Sequence, residues 1–227
     1  MSIFILNIET ATTNCSVSIS KDGKTIVLKE DNDKSYSHAE RLQVYINDAL
    51  KEAGINTVDL NAIAISKGPG SYTGLRIGVS AAKGLCFALD KPLIAVPTLE
   101  ALAHQVKLEN GVVISMLDAR RMEVYSAIYD SNYKEIRDTQ AQILDENAFA
   151  ENLQNGNVYF VGNGVEKTKT LINHPNAIFI DHKLPSANEM SALAFNKFYN
   201  NDFEDVAYFE PYYLKDFVAL KPKPKNK

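Results

Sequence analysis

The chain has 227 residues, 45% hydrophobic and 23% charged, an ordinary globular composition with ample length for a packed core. A formal net charge of −4 argues against broad, non-specific coating of nucleic acid, which needs many phosphate-neutralising cations. The two cysteines, Cys15 and Cys86, form no CxxC, so the sequence holds neither a disulfide framework nor a zinc knuckle and fits a reducing compartment.

The opening "MSIFILNIETATTN" has no basic stretch ahead of its short apolar run, so it reads as a first strand, Ile3 to Glu9, rather than a signal peptide. No run approaches the ~18 apolar residues that span a bilayer. A cytoplasmic protein without membrane association is therefore expected. Cys15 to Ser20 alternates in polarity, and Thr25 to Glu30 follows the Asp-Gly turn of "KDGK", which predicts a three-strand meander. Leu42, Tyr45, Ile46, Ala49 and Leu50 fall at helical spacing in Tyr36 to Ala53. Ser37 is the expected cap with Glu40 three residues on, and Gly54 ends the helix. "NAIAIS" predicts a strand. Thr73 is the expected cap of a helix running to about Leu89. "PLIAV" predicts a short strand, and Thr98 caps a helix to about Lys107.

After "ENG" the pattern restarts. Strands are predicted over Val112 to Leu117, Met122 to Tyr129 and Lys134 to Ile143. A helix follows over Asp145 to Leu153, then the strand "NVYFVG", a helix over Val165 to Ile172, the strand "NAIFID" and a helix over Asn188 to Tyr199. Both halves read strand-strand-strand-helix-strand-helix-strand-helix. This repeat of element order predicts two related α/β domains, 1–104 and 105–227, each a mixed sheet flanked by helices. The alternating Lys and Pro of "KPKPKNK" predict a solvated, disordered end.

Four stretches could carry chemistry. In "NIETATTNCSVSI", Glu9 ends a strand, and Thr10 and Thr12 begin a polar loop that is either an anion-binding concavity or a plain hairpin. In "SKGPGSYTGLRIGVSAAKGL", Gly68 and Gly70 make a sharp turn ahead of a helix N-terminus, where free N–H groups favour anions. The spacing fits neither GxxxxGK[ST] nor GxGxxG. Gly74, Gly78, Ser80, Ala81, Ala82 and Gly84 give this helix a small-residue side that suits close packing. In "SMLDARRMEVYSAIY", Asp118 ends a strand as Glu9 does. Asp118, Arg120, Arg121 and Glu123 there are either an anion site or a local ion-pair cluster. Gly162 and Gly164 repeat the strand-to-helix glycine turn in the second half. The four histidines show no metal-ligand spacing, and no GxSxG is present.

"ILNIETATTNCSVSI", "SHAERL", "AISKGPGSYTGLRIGVSAAKGL", "PLIAVPTLEALA", "MLDARRMEVY" and "EPYYLK" resemble, in order and spacing, the TsaB (YeaZ) family of bacterial tRNA threonylcarbamoyladenosine biosynthesis proteins. The resemblance covers the whole chain and is densest from Ile3 to Ala103. It implies the actin/Hsp70/sugar-kinase-like (ASKHA) fold. It also implies a role in threonylcarbamoyl transfer to adenosine 37 of ANN-decoding tRNAs, as the non-catalytic partner of a TsaD-type catalytic subunit and a TsaE-type ATPase. The tRNA would be met through that complex, and a homodimer would form when the partner is absent. In the catalytic relatives the stretch matching "VPTLEAL" carries two metal-binding histidines at i, i+4. Thr98 and Leu102 stand there here, so no metal site is expected, and no cofactor is required. ATP or ADP in the interdomain cleft remains the alternative occupant, and an ATP-dependent phosphotransferase or ATPase the alternative activity. Its carboxylate would be Glu9 or Asp118. The resemblance also places the docking face on the first-domain helices, with Leu42, Ile46, Val79, Ala82 and Cys86 as expected interface residues.

Overall fold

The computed structural model describes residues 2–32 and 38–215. The expected cap Ser37 and the lysine–proline tail lie outside the described residues. The first half contains β1 (Phe4–Glu9), β2 (Cys15–Lys21), β3 (Lys24–Asp31), α1 (His38–Ala53), β4 (Ala62–Ser66), α2 (Tyr72–Leu89), β5 (Leu93–Val96) and α3 (Thr98–Ala103). The second contains β6 (Val112–Asp118), β7 (Glu123–Tyr129), β8 (Glu135–Ile143), α4 (Ala150–Asn155), β9 (Val158–Val161), α5 (Val165–Lys169), β10 (Ala177–Ile180) and α6 (Ala187–Tyr199).

The two five-stranded sheets have one topology. The first runs β3-β2-β1-β4-β5 and the second, read from the same side, β8-β7-β6-β9-β10. In each, an antiparallel meander passes into parallel crossovers from the central strand. The local chemistry explains the joints. Asp22 and Gly23, both at positive φ, make the tight β2–β3 turn. Helix α1 ends where Gly54 adopts φ 68° and the amides of Gly54 and Ile55 bond back to the carbonyls of Lys51 and Leu50. Ser71, not Thr73, caps α2, its hydroxyl accepting from the Gly74 amide at 3.3 Å. Helix α4 starts later than its sequence pattern suggests. Asp145 accepts from the Asn147 amide and Phe149 turns left-handed, so residues 145–149 form turns instead.

The cores do not divide where the sheets do. Helix α3 belongs by sequence to the first half, yet Leu99, Leu102 and Ala103 pack with Val113, Leu117, Ala127 and Val161 of the second sheet. Helix α6 crosses the other way. Ala187, Met190 and Ala194 bury against Ile5, Ala64, Ile94 and Val96 of the first sheet. Beside this apolar contact, Ser18 donates to the Ala187 carbonyl at 2.8 Å and the Ala187 amide donates to Ser16 at 3.0 Å. A cut between residues 104 and 105 therefore separates two sheets but not two independent cores. The chain then returns along α2. The Glu204 amide donates to the Leu93 carbonyl, Lys83 donates to the carbonyls of Ala207 and Phe209, and the Tyr212 amide donates to the Lys67 carbonyl.

Helix α2 lies unusually close to the β1–β2 loop. A Cβ at Gly70 would sit 2.5 Å from the Ala11 carbonyl oxygen, and one at Gly74 or Gly78 would overlap the Thr10 carbonyl oxygen or hydroxyl. Only glycine fits these places. Gly84, in the same helix, has none of the described residues within 4 Å of the corresponding position. The two therefore respond oppositely to alanine. Gly74→Ala should destabilise the chain by about 2–4 kcal/mol through overpacking, and Gly84→Ala should stabilise it by about 0.5–1 kcal/mol through helix propensity. Urea unfolding of both variants checks this.

Candidate functional site

The site is built from strand ends. Strand β1 delivers Glu9 to the base of the interdomain cleft, with its carboxyl group turned inward at 0% exposure. Its Oε1 accepts from the Ala11 amide at 2.6 Å and the Ser66 hydroxyl at 2.8 Å. Its Oε2 is buried with no partner. Burial pushes the carboxyl up to about 7, against the lowering effect of those hydrogen bonds. Thr10 is equally buried, its hydroxyl tucked against Gly78. Thr12 lies at the cleft and its hydroxyl accepts from the Asn14 amide.

The glycine turn is held by the chain's own groups. The Gly68 amide donates to the Thr98 hydroxyl at 3.0 Å, and the Thr98 amide donates to the Gly68 carbonyl at 3.1 Å. The Ser71 amide donates to the Ala11 carbonyl at 2.7 Å. The Gly68 and Ser71 amides are thus bonded to a hydroxyl and a carbonyl of the fold. Thr98 and Leu102, where the resemblance led us to expect no metal ligand, are also committed. Thr98 anchors Gly68, and Leu102 is wholly buried in apolar packing. A divalent ion does not fit there, because leucine offers no donor atom. Among the described residues, no three His, Cys, Asp or Glu side chains gather as a metal site.

Across the cleft, β6 delivers Asp118. Its Oδ1 accepts from the Arg120 amide at 2.6 Å and from Lys167 at 2.8 Å. Lys167 also donates to the carbonyls of Arg121 and Glu123. Asp118 therefore anchors a loop and a half-exposed ion pair at the edge of the cleft. Gly162 and Gly164 serve packing. A Cβ at Gly162, where φ is 113°, would overlap the Met116 carbonyl, and one at Gly164 would press on Val124.

Between these walls lies a cavity of about 510 Å³. Thr12, Gly70, Asp118 and Arg120 line it, whereas Glu9, Thr10, Gly68, Gly162 and Gly164 stand behind the lining. Sequence reading missed the tyrosines of this cavity, Tyr72, Tyr125, Tyr212 and Tyr213. The one available signal was "EPYYLK", which lies far from the glycine turn in sequence. Chemically, the cleft offers aromatic faces and the cations Arg120 and Lys215.

The expected docking residues need correction. Leu42, Ile46, Val79, Ala82 and Cys86 are all buried in the first core, none more than 4% exposed. Helical apolar spacing marked the face that α1 and α2 turn to their own sheet. The outward face of α2 carries Arg76, Ser80, Gly84, Phe87 and Ala88 instead, and that of α1 carries Gln43, Val44 and Asn47.

Comparison with known proteins gives consistent matches. A family profile described as TsaD, tRNA N6-adenosine threonylcarbamoyltransferase, matches residues 32–223. The chain is 34% identical to the tRNA threonylcarbamoyladenosine biosynthesis protein TsaB of Escherichia coli, over 97% of this chain and 98% of that one. It is 38% identical to a Staphylococcus aureus tRNA N6-adenosine threonylcarbamoyltransferase over 51% of this chain and 38% of that one. Among solved structures, YeaZ from Pseudomonas aeruginosa superposes with a TM-score of 0.80 at 26% identity, covering 93% of this chain and all of that one. The ethanolamine utilization protein EutJ of Carboxydothermus hydrogenoformans, at a TM-score of 0.50 and 11% identity, shares the fold.

Glu9 supplies a pH test. Its folded-state value lies above the ordinary 4.5, so its contribution is fully favourable below pH 4.5 and is lost as pH rises through about 7. Wild-type stability should fall across this window by up to about 3 kcal/mol. Glu9→Gln should flatten that slope and melt higher than wild type at pH 8, as measured by thermal unfolding from pH 4 to 8.

Proposed function

Because this chain belongs to the TsaB (YeaZ) family, we propose that it is the non-catalytic scaffold subunit in threonylcarbamoyl transfer to adenosine 37 of ANN-decoding tRNAs. In this reading it docks on a TsaD-type catalytic subunit, works with a TsaE-type ATPase and meets tRNA within that complex. It needs no cofactor of its own and resides in the cytoplasm. No helix among the described residues is long and apolar enough to cross a membrane.

The outer face of α2 is the observation that carries this reading. Phe87 is 86% exposed, the highest among the large hydrophobic side chains of the described residues. Within a turn of it are Gly84, which has open space where a side chain would be, and the small residues Ser80 and Ala88. A mid-helix glycine weakens a helix by about 1 kcal/mol relative to alanine, and among the described residues nothing lies within 4 Å of where a Cβ at Gly84 would sit. Close approach of a second helix would give it a purpose, with Phe87 as the aromatic anchor. The same face would support a symmetric homodimer when the catalytic subunit is absent.

The ATP-dependent transferase reading is weaker on the same geometry. Glu9 is sealed behind the cleft lining, and Asp118 is bound to Lys167. The docking reading is checked by size-exclusion chromatography with the TsaD-type subunit. Gly84→Arg and Phe87→Ala should each weaken co-elution at least about tenfold, the cost of an aromatic hot spot, with the circular dichroism of the isolated chain unchanged. Co-elution at wild-type strength in both variants would remove this face from the account.

A further inference from the structure

We propose that a second cavity, where the end of β3 meets the entry to α6, binds a small organic cation through the N–H groups of an ammonium or guanidinium. This goes beyond the scaffold reading and does not depend on it.

The cavity measures about 500 Å³, a size typical of small-molecule sites. It shares no lining residue with the first cleft. The β1–β2 loop borders both, with Thr12 in the one and Asn14 in the other. Both halves of the chain build it. Asn14 leads into β2 and Glu30 lies in β3, whereas Gln105 follows α3, and Ser186 and Glu189 stand at the start of α6.

The polar atoms that face it are held in place, and they are mainly acceptors. Asn14 is only 6% exposed, and its Nδ2 donates to Glu30 at 3.3 Å and to the Pro185 carbonyl at 2.9 Å. The amide group is thereby oriented, and its oxygen accepts from no donor among the described residues. A ligand N–H would satisfy it. Glu30 is pinned through one oxygen. Its Oε2 accepts from Asn14, from the Ser16 hydroxyl at 3.1 Å and from the Ser186 hydroxyl at 2.7 Å, and its Oε1 accepts from none of the described residues. Glu189 accepts from Asn188 at 2.8 Å and from Gln105 at 3.3 Å. Asp31 also lines the cavity but is committed to Arg41.

Two carboxylates thus meet one cavity, and among the described residues neither has a lysine or arginine in ion-pair contact. Burial raises the Glu189 carboxyl above its ordinary value, and the charge of Glu30 adds to the effect. A ligand cation relieves that repulsion and gives charge-assisted hydrogen bonds to both. The acceptors come from separate elements, and no three His, Cys, Asp or Glu side chains among the described residues gather as metal ligands. A head group with several N–H donors therefore fits better than a bare ion. Lys183 and His182, both exposed, complete the rim, and Lys183 acts against a bound cation.

The test is isothermal titration calorimetry of agmatine into the full chain at low ionic strength. Agmatine carries an ammonium and a guanidinium. Binding should show one site per chain with a dissociation constant of about 1 mM or tighter. Tetramethylammonium, a cation without N–H donors, should give no saturable heat at matched charge. Glu30→Gln and Glu189→Gln should each weaken agmatine binding about tenfold, the loss of one charge-assisted hydrogen bond, with the circular dichroism unchanged. Lys183→Gln removes a rim cation and no acceptor, so it should bind agmatine about twofold more tightly. This last variant keeps the site intact and reads the charge of the cavity even where a glutamine variant unfolds. No binding of agmatine, equal binding of tetramethylammonium, wild-type affinity in both glutamate variants, or weaker binding by Lys183→Gln would each overturn the assignment.

Discussion

Helix α2 lies against the β1–β2 loop with no side chains between them, and much of the molecule follows from that contact. Gly70, Gly74 and Gly78 remove the Cβ atoms that would strike Thr10 and Ala11. The approach lets the Ala11 carbonyl accept from the Ser71 amide at the helix entry and leaves the Ser71 hydroxyl to cap the first turn. It also seals Thr10 and Glu9 away from solvent. A loop that could have wrapped an anion is used here to seat a helix. Because the inner face of α2 is fixed so tightly, its outer face is presented as a rigid surface.

The two halves share one strand topology but are not separable bodies. Helix α3 covers the second sheet and α6 covers the first, and the segment after α6 runs back along α2 to the glycine turn. This exchange sets the cleft between the two loop systems and brings Tyr212 and Tyr213 to its mouth. Thr98 ties the start of α3 to Gly68, and Leu102 fills the core of the second sheet. A hydroxyl and an isobutyl group thus tie α3 to the glycine turn of the first half and to the core of the second.

Much of this frame is legible in the sequence. The meanders are signalled by alternation and by Asp22-Gly23, the end of α1 by Gly54, and the doubling by the repeated element order. The placement of α3 and α6 is not legible, because an apolar helical stripe says that a face is buried but not against which sheet. The same limit governs Leu42, Ile46, Val79, Ala82 and Cys86. An apolar spacing is shared by a core face and a docking face, and in this chain the core claims it. The cleft chemistry is hidden for another reason. The partner of Asp118 is Lys167, 49 residues away, and a tilted ring contact joins Tyr72 to Tyr213. Local spacing carries no trace of such pairs. The glycine turn could be read as a phosphate loop or a packing device, and only the atoms crowding its Cβ positions decide between them.

As the proposed scaffold subunit, this chain acts through surfaces rather than through a reacting group, and reconstituted tRNA modification tests that most directly. Threonylcarbamoyl incorporation into an ANN-decoding tRNA should be supported by the TsaD-type and TsaE-type subunits only when this chain is added, and the chain alone should give none. Incorporation by the chain unaided, or at full rate by the other two subunits without it, would contradict the account.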